Sequence, residues 1–146
     1  MNHDPQMYEH IQETCVAYNL GKAYKVVNRM FEEELREVGL TNSQFAVLVT
    51  LARFGEMSSH ALAEKLGSDP STISRNMDLL ERRNLVAEEV DGRDRRVRLY
   101  SITEEAESTL KAGVQRWKRA QRRALRALGR PFWRTSRRRL KRLIGA

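Results

Sequence analysis

Four consecutive residues, Gly67-Ser68-Asp69-Pro70, constrain this chain more than any other feature. Glycine accepts the left-handed backbone that closes a helix, aspartate caps the next one, and proline fits its first turn. Upstream, Ser58 or Ser59 can cap a short helix carrying Ala61, Leu62, Ala63 and Leu66; downstream, Ile73, Met77 and Leu80 recur at spacings of four and three. Two helices joined by so tight a turn predict a helix-turn-helix. Another helix precedes them: Thr41 and Gln44 make a capping box, Phe45, Leu48, Val49 and Ala52 give one buried face, and Gly55 ends it. After Asn84 the period falls to two. Leu85–Val90 and Val97–Ile102 read as antiparallel strands, the second alternating Val97, Leu99 and Ser101 against Arg98 and Tyr100. Between them lies Asp91-Gly92-Arg93-Asp94-Arg95-Arg96, a turn whose glycine relieves the backbone and whose tip carries three arginines. A hairpin in this position is a wing.

Long helices are expected on either side. From about Tyr8 to Val38 the positions Val16, Leu20, Ala23, Val27 and Met30 form a heptad seam, continued by Phe31 and Leu35 and closed by Gly39. Thr103 caps a C-terminal helix with an acidic first turn and a seam of Leu110, Val114, Trp117, Ala124 and Leu128, on which Gln121 is the polar exception. Gly129 and Pro131 break it before a last short helix holding Phe132, Leu140, Leu143 and Ile144. The fold class is therefore mainly α with a small β-hairpin wing (α+β), in three parts of one intertwined domain: 1–40, 41–103 and 104–146.

Charge narrows the partner. The 27 Lys and Arg against 19 Asp and Glu leave +8. Residues 1–40 carry four basic and seven acidic side chains, 41–103 nine of each, and 104–146 fourteen basic against three acidic. A phosphate-rich partner is indicated. One cysteine and three scattered histidines offer neither a disulfide framework nor zinc-finger spacing. No metal or other cofactor is expected, and the chain has no Gly-rich phosphate loop, activated nucleophile or paired catalytic carboxylates, so no enzyme is expected either. With no signal peptide and no apolar run near ~18 residues, the expectation is a soluble cytoplasmic protein with no membrane partner.

The helix opening at Pro70 offers Ser71, Thr72, Arg75 and Asn76 on the side away from Ile73, Met77 and Leu80. Arg can bind guanine bidentately, Asn can do the same with adenine, and Ser or Thr can reach phosphate or a thymine methyl. The N-terminal end of such a second helix is the end that enters a major groove. Arg93, Arg95 and Arg96, with Arg98 below them, suit a minor groove, and one of them, paired with Asp94, can orient the tip.

The segment from Thr41 to Leu110 resembles the MarR family of bacterial winged-helix transcription regulators. The most specific residues are Leu80-Glu81-Arg82-Arg83-Asn84-Leu85-Val86, Asp94-Arg95-Arg96 and Ile102-Thr103-Glu104-Glu105. The resemblance implies a homodimer joined through the first and last helices. It further implies a pseudo-palindromic double-stranded DNA operator, usually bound for repression, read through Ser71, Thr72, Arg75, Asn76, Arg93 and Arg96. In such a dimer the acidic cluster Glu32, Glu33, Glu34 and Glu37 is expected to meet the basic tail of its partner. It also implies a small aromatic or phenolic effector between dimer helices and winged region, where Tyr8, Ile11, Tyr24, Phe54 and Trp117 are candidates, with Arg or Lys nearby for a carboxylate. Some such regulators sense organic hydroperoxides through one cysteine held by two tyrosines. Here the tyrosine positions fall on Phe31 and Asn42 and Cys15 lies about two residues off, so Cys15 is expected to be structural, with redox sensing as the alternative. Two departures stand out: Ala106 replaces a common Gly, and the tail is unusually basic. The competing function is an architectural protein binding DNA without sequence preference.

Overall fold

The computed structural model describes residues 4–145. Its elements are α1 (Pro5–Thr14), α2 (Val16–Leu35), a 3-10 turn (Arg36–Val38), α3 (Asn42–Phe54), β1 (Met57–Ser58), α4 (Ser59–Leu66), α5 (Pro70–Arg82), β2 (Val86–Val90), β3 (Arg98–Ile102), α6 (Glu104–Leu128) and α7 (Arg130–Leu143). The sheet is antiparallel in the order β1-β3-β2. This is the winged helix-turn-helix architecture that the punctuation residues predict.

The expected caps form. Thr41 and Gln44 bond reciprocally, Ser58 caps α4, Gly67 ends it in the left-handed conformation, Asp69 caps α5, and Thr103 caps α6. The core lies where α3, α4, α5 and the sheet meet the end of α2. Leu35, Leu48, Leu51, Leu62, Ile73, Met77, Leu80 and Val86 are almost wholly buried there. Each contributes about 1.5–3 kcal/mol relative to exposure.

Several expectations are corrected. The first helix is two, because Cys15 takes an extended conformation (ψ 114°). Asn19 stitches the break: its side-chain amide donates to the carbonyls of Gln12, Glu13 and Cys15 at 2.9–3.1 Å. On α3 the buried face runs through Phe45, Val47, Leu48 and Leu51, while Val49 and Ala52 turn outward. The two-residue β1, too short to leave a period, pairs Met57 with Tyr100 and makes β3 central. On β3 it is Tyr100 that is buried, whereas Leu99 and Ser101 are half-buried. In the wing, Gly92 has no positive φ. Asp91 and Asp94 shape the turn instead, their carboxylates accepting the backbone N–H of Arg93 and Arg96.

The seam of α6 also differs. Its buried residues are small: Ala106, Gly113, Ala120 and Ala124, with Leu110 and Val114 half-buried and Trp117 exposed. Small residues let the helix backbone come close. A Cβ on Gly113 would sit 2.9 Å from Cε2 of Phe45. Across α2 and α6 the charges match within one chain, since Arg123 contacts Glu33 at 2.8 Å and Glu34 at 3.7 Å, and Arg116 contacts Glu34 and Glu37 at 3.8 Å. Glu33, Glu34 and Glu37 of the acidic cluster thus find basic partners within their own chain. Each such partly exposed pair is worth only ~0–1 kcal/mol.

Candidate nucleic-acid interface

The exposed polar start of α5 is set by Asp69. One carboxylate oxygen accepts the backbone N–H of Ser71 (2.8 Å) and of Thr72 (3.3 Å), and also the Ser71 hydroxyl. The hydroxyl bond chiefly, then the two backbone bonds, with a minor contribution from the charge of Arg75, hold the Asp69 carboxyl below its ordinary value of 3.8 against a small opposing desolvation. The cap fixes the first turn of α5, from which Ser71, Thr72 and Arg75 stand exposed. Arg75 Nε leans back onto the Ser71 carbonyl at 3.4 Å, a contact weak enough to exchange for a base or phosphate. Ser74 is exposed on the same helix and belongs with this set. Its small polar side chain on the outward arc between Ser71 and Asp78 was the available signal.

Asn76 does not belong with it. Its residue is only 9% exposed, and its Nδ2 donates to Ser43 Oγ at 2.7 Å. Position 76 follows Ile73 by three and precedes Leu80 by four, which puts it on the buried arc of α5. Asn76 therefore ties α5 to the start of α3 and presents no amide to a groove.

At the wing tip, Arg93, Arg95 and Arg96 are exposed. Arg96 lies 3.6 Å from Asp94, the orienting pair expected, and neither Arg93 nor Arg95 has a side-chain ion pair among the described residues. The base of the wing is braced by Glu88, which accepts from Arg98 and from the Tyr100 hydroxyl (2.9 Å). Burial first, then that bond and the charge of Glu88, raise the Tyr100 phenol to about 12. At the other end of the hairpin, the Thr103 hydroxyl donates to the carbonyl of Asn84, whose φ of 55° is the one positive value outside glycine among the described residues.

The five effector candidates do not converge. Tyr24 lines a pocket of about 230 Å³ with Asn28, Glu32, Asn42, Ser43 and Ser68, between α2, the start of α3 and the end of α4. Tyr8 and Ile11 are exposed on α1, Trp117 is exposed on α6, and Phe54 lies between the cations of Arg53 (4.6 Å) and Lys65 (4.1 Å). No Arg or Lys lines the pocket; its charged residue is Glu32, whose carboxylate accepts the Asn42 N–H at 3.0 Å. Cys15 is half-buried at the α1–α2 break and makes no disulfide. Lys22, two turns on, sits 5.2 Å from the ring of Tyr18. Among the described residues no cluster of His, Cys, Asp and Glu could hold a metal, and no helix is long and apolar enough to cross a membrane.

A capped second helix with an exposed polar start, beside an arginine-tipped hairpin, defines a winged helix-turn-helix, an architecture suited to the grooves of DNA. The MarR-family sequence model matches residues 38–97, so over these residues the chain is similar to the MarR family. It is 33% identical over 75 residues to the HTH-type transcriptional repressor MdtR of Bacillus subtilis (strain 168), an alignment covering 51% of this chain and 48% of that protein. The chain thus matches about half the length of that curated relative. Among solved structures it is similar to a probable transcriptional regulator from Pseudomonas aeruginosa, with TM-score 0.81 and 27% identity over 90% of this chain and 98% of that one. It is also similar to the M. tuberculosis transcriptional regulator MosR in complex with DNA, with TM-score 0.78 and 25% identity over 90% of this chain and 94% of that one. These relatives are transcription regulators, not enzymes.

Proposed function

We propose that this chain is a sequence-specific transcription regulator that binds a pseudo-palindromic operator as a homodimer, represses from it, and is released by a small molecule. The observation that carries the reading is the exposed start of α5, with Ser71, Thr72 and Arg75, together with the wing residues Arg93 and Arg95, which have no ion pair among the described residues. In this reading α5 enters the major groove and specifies bases, Arg75 above all, while Arg93, Arg95 and Arg96 grip backbone and minor groove. MdtR is itself a repressor, and MosR has been seen with DNA.

The apolar residues left bare on α1 and α2, Ile11, Val16, Leu20 and Tyr24, are the proposed seat of the second copy. The polar pocket is the proposed effector site. Lined by hydroxyls, amides and Glu32, it favours a neutral, phenol-like molecule over a carboxylate. Ser43 lines the pocket and also accepts from Asn76, so an occupant that engages the Ser43 hydroxyl competes with the anchor of α5.

Selection of bound sequences from random DNA at physiological salt tests the proposal. An inverted repeat is expected; recovery of no preferred sequence would make this an architectural protein and sink the operator reading.

A further inference from the structure

We infer that α7 is a second polyanion surface, one that holds the phosphate backbone of a DNA segment other than the one α5 and the wing engage. Arg130, Arg134, Arg137, Arg138, Arg139, Lys141 and Arg142 make seven cations on its 14 residues, with no acid among them. None forms an ion pair among the described residues, in contrast to Arg116 and Arg123 of α6, which are matched by α2. The repulsion is built into the spacing. Arg130/Arg134, Arg134/Arg138, Arg137/Lys141 and Arg138/Arg142 are like charges four apart, each working against the helix until an anion relieves it. Six of the seven are arginines, whose planar fork matches phosphate geometry.

Position separates this surface from the reading head. The 25 residues of α6 run ~37 Å from the sheet to the turn at Gly129, and α7 packs chiefly on α6 beyond it. On the apolar side of α7, Trp133, Ser136 and Leu140 are half-buried, while Phe132 and Leu143 stay exposed. The opposite side carries the cations, six of the seven being arginines, whose planar fork suits a nucleic-acid backbone, and a membrane is the alternative that the test below separates. Glu33 and Glu34 of α2 are already paired, which leaves them less available to α7 of a second copy.

The test loads the full-length protein onto an immobilised duplex and offers a labelled duplex of unrelated sequence in solution. Wild type is expected to capture the label at low salt and release it as salt rises. The triple variant Arg137→Gln, Arg138→Gln, Arg139→Gln should bind the immobilised duplex as before yet capture at least roughly tenfold less label, while Lys at the same three positions keeps capture. Three results would overturn the assignment. The first is capture by the triple Gln variant equal to that of wild type. The second is a fall in its affinity for the immobilised duplex in step with capture, which puts α7 on the same DNA. The third is a wild type that captures no label but binds phosphatidylserine vesicles through these arginines.

Discussion

Arg75 and Asn76 are neighbours in sequence, one exposed and the other buried against Ser43, and the contrast can be measured. Arg75→Ala should weaken specific binding by about 1–3 kcal/mol and relax the preference at one base position per half-site, with stability unchanged. Asn76→Ala should instead lower the urea midpoint by the equivalent of about 1 kcal/mol, because it strips the Ser43 hydroxyl of its partner. Equal affinity losses on specific and random DNA in the Arg75 variant would reduce that residue to a phosphate contact. The helical spacing of α5 puts Arg75 on the exposed side, where it stands, but residue type alone misplaces Asn76. Polarity does not say which arc of a helix an asparagine occupies when its partner, Ser43, lies 33 residues away. Gly113 was silent for the same reason: a glycine's role in close packing depends on the ring of Phe45, which only the fold brings near.

At the scale of elements, the tip and the base of the wing should act separately. Its tip should contribute charge: replacing Arg93 and Arg95 by Gln should flatten the salt dependence of binding by about 0.9 in slope for each phosphate left without its cation, on any sequence. An unaltered slope removes the wing from the interface. Its base should contribute alkaline stability. The Tyr100 phenol, raised to about 12 from 10.0, favours the folded state fully below pH ~10 and loses that contribution as pH rises through 12. Tyr100→Phe should therefore flatten the fall in stability across this window; an unchanged pH profile in urea titrations would refute the assignment. Caps and turn residues made α3, α4, α5 and the hairpin legible, since their signals are local. The break at Cys15 was not. It depends on Asn19 reaching back to three carbonyls, a contact with no signature in hydrophobic spacing. The strand β1 exists only through pairing with β3.

For the whole molecule, the heptad positions at the start of α2 form an apolar stripe that is not buried within one chain: Val16 is 71% exposed and Leu20 49%. Replacing both by Asp should convert a dimer to monomers in sedimentation analysis and weaken operator binding with it, while the fold of the winged region, whose core lies elsewhere, persists. A double variant that stays dimeric would place the joint on other helices. The distribution of charge was legible from counting; its pairing was not, because the acids of α2 meet α6 of their own chain.

The close fit of Gly113 beneath Phe45 bears on how movement would pass through such a molecule. Ordinary packed side chains soften a displacement by shifting between rotamers. A bare backbone against an aromatic ring has no such slack, so at this point α6 and α3 should move together as a single beam. A change in the spacing of the long helices should then reach the winged region as tilt rather than be absorbed at this contact. A methyl group added at position 113 would meet the ring of Phe45 and force this contact apart.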